Sequence, residues 1–191
     1  MATFKHIVMK KYLFFILLFS YLSVSAQLKK NAPLPIIDLT SQVNFGHKTL
    51  PKRNVDIIVV HSTYFHGVDS FSISGVLKQF KENNVCSHYI IGRGGQIYST
   101  VKENNIAYHA GVSELPGTKR TNINSTSIGI EIINSPTVPP TDAQYESLVN
   151  LVEEIKKHHP IKYIVRHSDI APGRKTDPWM FQWEVFKNFV K

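Results

Sequence analysis

Two histidines close apolar runs in this 191-residue chain. His61 follows Val55-Asp56-Ile57-Ile58-Val59-Val60, and His167 follows Ile161 to Arg166. At the end of a strand a side chain leaves the core and can reach a cleft, so both imidazoles stand where chemistry is possible. The loop after His167 runs Ser168-Asp169-Ile170-Ala171-Pro172-Gly173-Arg174-Lys175-Thr176-Asp177-Pro178, from an imidazole nearly to a carboxylate. Two imidazoles and one carboxylate form a catalytic zinc ligand set with the fourth position left for water. Zinc lowers the pKa of that water and polarises a carbonyl. The spacing alone is weak, because a histidine at a strand end is more often a satisfied core or surface residue. Asp169 is the competing carboxylate; two residues after His167, it is the poorer geometric choice.

Glu131 sharpens the case. It stands inside Ser127-Ile128-Gly129-Ile130-Glu131-Ile132-Ile133, where a carboxylate is costly unless paired or functional. A strand face turned to solvent would make it harmless, but Gly129 and Ile133 share its face and do not resemble a solvated surface. A half-buried glutamate with a raised pKa suits a general base acting on water. Lys175, two residues before Asp177, could stabilise a developing oxyanion; the alternative is a solvated loop lysine.

These residues need a scaffold, and the apolar pattern describes one. Residues 55–60 read as a strand buried on both faces. Ser72 to Asn83 reads as a helix with Ile73, Val76, Leu77 and Phe80 on one side. His88–Gly92 and Gln96–Val101 flank the turn signal Arg93-Gly94-Gly95 and predict a hairpin. Residues 127–133 form another strand. Thr141 to His159 is the clearest helix, with a capping box from Thr141 to Gln144, a stripe of Tyr145, Leu148, Val149, Val152 and Ile155, and Pro160 as its stop. Ile161–Arg166 is a strand that delivers His167, and Pro178–Lys191 reads as a last helix. Strands and helices intermix, so the expected fold is α/β, a single domain with a mixed central sheet flanked by helices and the site in a surface cleft at strand ends.

The first 26 residues fit no such fold. Lys10 and Lys11, the apolar run Tyr12–Val24 and the closing Val24-Ser25-Ala26 describe a secretory signal peptide, with Met9 a possible start. The run is short for a membrane span; an uncleaved anchor is the competing reading. Residues 27–50 read as a linker and lead-in, and 51–191 as the catalytic domain. Removing residues 1–26 takes away Lys5, Lys10 and Lys11 and no acid, lowering the formal charge from +8 to +5. The basic residues are scattered and lack the clustered stripe of a nucleic-acid binder. A mild positive charge suits anionic cell-wall polymers. The single cysteine, Cys86, can form no intramolecular disulfide. Its apolar flanks suggest a buried small hydrophobe, against the alternative of a catalytic thiol.

Residues 167–178 closely resemble the zinc-loop signature of type-2 N-acetylmuramoyl-L-alanine amidases, a family that includes AmpD-like amidases and is related to peptidoglycan recognition proteins. Val59-Val60-His61-Ser62-Thr63 resembles the family's first ligand strand. Val85 to Ile91 followed by Gly94-Gly95-Gln96-Ile97-Tyr98 resembles its hairpin. Tyr108-His109-Ala110-Gly111-Val112-Ser113, Asn122 and Ser127–Glu131 resemble its substrate groove and glutamate strand. The resemblance covers residues 54 to 180. It implies one zinc per chain held by His61, His167 and Asp177, with Glu131 as general base and Lys175 as oxyanion stabiliser. Tyr108, His109 and Asn122 would bind substrate, and His88 would be structural. Some relatives carry a catalytic tyrosine just before the position of His88; Ser87 stands here, which puts that assistance in doubt. The implied partner is peptidoglycan or its muropeptides, acted on by an exported, periplasmic or secreted monomer with no stable membrane insertion after signal cleavage. A non-catalytic binding module of the same fold, or a secreted antibacterial toxin using the same chemistry, are the competing readings.

Overall fold

The computed structural model describes residues 33–190, so the signal segment, residues 1–26, lies outside the described residues. In chain order the elements are β1 (Ile36–Asp38), β2 (His47–Lys48), β3 (Ile57–Thr63), α1 (Ile73–Glu82), β4 (Tyr89–Ile91), β5 (Ile97–Ser99), β6 (Ile106–Ala107), β7 (Glu114–Leu115) and β8 (Arg120–Thr121). A 3₁₀ turn (Ile123–Thr126), β9 (Ser127–Ile133), α2 (Asp142–His158), β10 (Tyr163–Arg166), α3 (His167–Ile170) and α4 (Trp183–Phe189) follow.

Six strands form one sheet in the order β1-β5-β4-β9-β3-β10. The β4–β5 hairpin is antiparallel; every other pair in the sheet is parallel. The sheet is therefore mixed, as the alternation of strand and helix signals required. Strands β3 and β9 lie at its centre, and all seven residues of each are buried. That burial explains their near-continuous apolar sequences.

Alternation along β3 and β9 separates two faces. On one, Val76 and Phe80 of α1 pack with Cys86, Ile90 and Ile133, and Ile57 and Val59 pack with Ala110, Leu115, Ile123 and Ile170. On the other, Ile58, Val60, Ile128, Ile130 and Ile132 are fully buried. Helix α2 belongs to that side, with Leu148, Leu151, Val152 and Ile155 as its buried stripe. Its capping box closes as the sequence suggested. The same Gln144 then donates from Nε2 to the carbonyls of Ile91 and Ile133, pinning the helix start to the ends of β4 and β9.

Two expectations change. The lead-in is partly folded structure: β1 pairs with β5 and β2 with β6. Strands of two or three residues leave no period to read, and β1 is exposed at the sheet edge. The last helix begins at Trp183 and not at Pro178. Met180 has φ +50°, outside the right-handed helical region. The preceding residues are tied to the site: the Trp179 N–H donates to Ser62 Oγ at 3.1 Å, and the Ser168 N–H to the Asp177 carbonyl at 2.9 Å.

Candidate active site

Parallel strands β9, β3 and β10 lie side by side and end at one edge of the sheet, where α/β sheets place their ligands. The register sets His61 directly beside Glu131. His167 is the first residue after β10 and opens α3. The loop leaving α3 returns Asp177 to the same edge. All four side chains are buried: His61 to 1% exposure, His167 to 3%, Asp177 to 5% and Glu131 to 8%.

Three of them converge on a point. His61 Nδ1 lies 2.9 Å from His167 Nδ1, His167 Nδ1 lies 3.1 Å from Asp177 Oδ2, and His61 Nδ1 lies 3.5 Å from the same oxygen. Zinc bonds of about 2.0–2.1 Å in a tetrahedral shell hold ligand atoms roughly 3.3 Å apart. The donor set therefore fits a small tetrahedral cation in both chemistry and spacing, and these three residues are a group able to hold a metal. Asp169 is committed elsewhere. It pairs with the Arg166 guanidinium at 2.7 Å and accepts the Arg166 N–H at 2.9 Å.

Burial dominates the electrostatics. It lowers the His61 imidazole to about 4, aided by His167, so the ring is neutral and can ligate. Burial also raises the Glu131 carboxyl well above its usual value, reinforced by the negative charge of Asp177 and partly offset by Lys175. Lys175 is exposed and lines the cleft above these groups.

The cleft is about 580 Å³, bordered by Tyr64, His66, Tyr108, Asn124, Arg174 and Trp179 as well as the buried cluster. Tyr108 is 36% exposed there. His109 is nearly enclosed, at 8% exposure, and both its ring nitrogens are engaged, with His61 Nε2 at 2.9 Å and Ser127 Oγ at 3.1 Å. Asn122 does not border the cleft; it takes a left-handed backbone at φ 55° to cap the 3₁₀ turn. Its neighbour Asn124 borders the cleft instead and accepts the N–H groups of His109 and Ala110 at 3.2 and 2.8 Å. His88 is fully buried and accepts the Gly129 N–H at 3.0 Å, a structural role. Ser87 is fully buried too, so its hydroxyl cannot replace a tyrosine at the cleft. Cys86 is buried, which pushes its thiol up to about 11 and removes it as a nucleophile. Arg174 was overlooked in the sequence: its Nη2 donates to the carbonyls of Ala110 and Val112 at 2.7 and 2.6 Å.

Comparison with known proteins agrees with this geometry. A sequence profile described as N-acetylmuramoyl-L-alanine amidase matches residues 51–179. The 1,6-anhydro-N-acetylmuramyl-L-alanine amidase AmpD of Haemophilus influenzae is 39% identical over 132 residues, spanning 67% of this chain and 71% of the relative. A selenomethionine AmpD crystal structure superposes with a TM-score of 0.68 at 29% identity, covering 84% of this chain and 97% of that one. The Escherichia coli amidase AmiD, solved with the substrate anhydro-N-acetylmuramic acid-L-Ala-D-gamma-Glu-L-Lys, superposes with a TM-score of 0.62 at 29% identity, covering 72% of this chain and 58% of that one. The match runs through the central sheet and the loop that carries Asp177, and on that ground the chain belongs to the N-acetylmuramoyl-L-alanine amidase family of hydrolases.

Proposed function

We propose that this chain is a zinc-dependent amidase that cuts the bond between the lactyl group of N-acetylmuramic acid and the first L-alanine of the peptidoglycan stem peptide. The observation that carries the reading is the convergence of His61 Nδ1, His167 Nδ1 and Asp177 Oδ2 beside a buried glutamate on the floor of an open cleft. A binding module on the same scaffold has no need of that complete donor set. The signal-like pattern of residues 1–26 supports action outside the cytoplasm, and no helix among the described residues is long and apolar enough to cross a membrane.

A zinc ion held by His61, His167 and Asp177 would polarise the scissile carbonyl and acidify the attacking water. Glu131 takes the proton from that water as its oxygen attacks the lactyl carbonyl carbon. Its raised pKa makes the same carboxyl able to return the proton to the alanine nitrogen as the C–N bond breaks. The Lys175 ammonium offsets negative charge growing on the carbonyl oxygen. Tyr108 and the aromatic rim of Tyr64 and Trp179 offer flat surfaces for the muropeptide.

Mass spectrometry of products tests the reading. Zinc-loaded protein acting on purified peptidoglycan, and separately on soluble muropeptides, should release stem peptides with a free N-terminal L-alanine and leave intact muramyl groups. Cleavage at another bond, or none with either substrate, overturns it.

A further inference from the structure

His109 lies on a run of hydrogen bonds whose direction can be worked out from its far end. The Ile123 carbonyl can only accept, so Ser127 Oγ, 2.7 Å away, gives it its hydrogen. The Ser127 oxygen can then only accept from His109 Nε2, at 3.1 Å. In a neutral ring this leaves His109 Nδ1 with a lone pair, which must accept from His61 Nε2 at 2.9 Å. His61 Nδ1 is thereby left with its lone pair facing the centre. The second imidazole is set in the same way. His167 Nε2 faces the Ala110 carbonyl at 3.2 Å and must donate to it, which leaves His167 Nδ1 as a lone pair. Three electron pairs then meet with no proton among them, an arrangement that calls for a cation.

We infer that the adjacent residues His109 and Ala110 are the positioning element of the donor set, one through its side chain and one through its carbonyl. The segment is braced from both sides. Asn124 Oδ1 accepts both of its N–H groups, and Arg174, in the loop between His167 and Asp177, donates to the Ala110 carbonyl. Beneath the ring lies Gly129. A Cβ there would come within 2.5 Å of His109 Cγ, so the strand carries glycine where the imidazole lies against its backbone. Groups that orient a metal-ligating histidine typically contribute 10–100-fold to metal affinity.

The inference rests on the metal reading above, and its test separates the two. Zinc affinity of the folded protein is measured by competition with a chromogenic chelator for wild type, His109→Leu, His109→Asn and Gly129→Ala. The leucine variant should bind about 10–100-fold more weakly, and Gly129→Ala should follow it because the ring is displaced. The asparagine variant, whose Oδ1 can stand in for the acceptor Nδ1, should recover most of the loss. Nitrogen-15 NMR of the zinc-loaded wild type supplies a reading that needs no variant: His109 should be protonated on Nε2 and bare on Nδ1. Wild type that binds no zinc overturns both readings. Zinc binding undiminished in the leucine variant, an asparagine variant as weak as leucine, or a His109 proton on Nδ1 overturns this inference alone.

Discussion

Glu131 sits where water barely reaches, and its cost to the fold should show when the charge is removed. Glu131→Gln keeps the side chain's shape but cannot accept a proton. Turnover should fall about 10²–10⁴-fold with zinc content unchanged, while the thermal midpoint holds or rises. A variant that lost activity and also unfolded would make Glu131 a structural residue. The two carboxylates of the loop after His167 call for a paired experiment. Asp177→Ala should lose most bound metal, because it removes one of three donors, whereas Asp169→Ala should keep it and lose only the bonds to Arg166. Metal analysis showing the reverse would exchange their roles. Single residues were unevenly legible in the sequence. Glu131 declared itself by standing in an apolar strand. Asn122 and Asn124 could not be told apart, because which one faces the cleft depends on a 3₁₀ turn with no periodic signature. The engagement of His109 was hidden for another reason: its partners lie 48 and 18 positions away.

At the scale of elements, β3 is held at its start by an ion pair that titrates. Arg120 grips Asp56 through two bonds, of 2.9 and 2.7 Å, and this hydrogen bonding holds the Asp56 carboxyl below its usual value despite some burial. A lowered carboxyl pKa stabilises the fold above the unfolded value of about 3.9, and that stability is lost as pH falls through the lower folded value. Asp56→Asn should therefore destabilise by roughly 1 kcal/mol near neutrality for this part-exposed pair, with the gap to wild type closing as pH falls through the lowered folded value. Denaturant melts across pH check it; a gap independent of pH would mean that the charge contributes nothing. Long regular elements were readable because their periods repeat: α1, α2, β3 and β9 occur close to where the apolar pattern put them. The stripe of α2 is turned slightly, burying Leu151 in place of Tyr145 and Val149. The two-residue strands were invisible, and α4 was overextended because nothing in residues 178–182 signals the positive φ of Met180.

For the whole molecule, metal and fold should be linked. A ligand bound only by the native state adds about 2.7 kcal/mol when its free concentration is 100 times Kd. Stripping zinc with a chelator should lower the midpoint of a domain this size by roughly 5–10 °C, and zinc should restore it. Scanning calorimetry that finds no difference would place the metal outside the folded structure. The strand order has a further consequence, for synthesis. The two sheet neighbours of β3, β9 and β10, are both made after it. The donors themselves are separated by 106 positions between the histidines and 10 more to Asp177. A growing chain on the ribosome therefore carries a finished apolar strand with both edges bare, open to wrong partners, until β9 has been added. It carries no complete donor set until Asp177 has been added. On the proposed metal reading the hydrolase cannot act before Asp177 is in place, and a chain broken off before that residue keeps the sticking hazard of β3 without any power to cut.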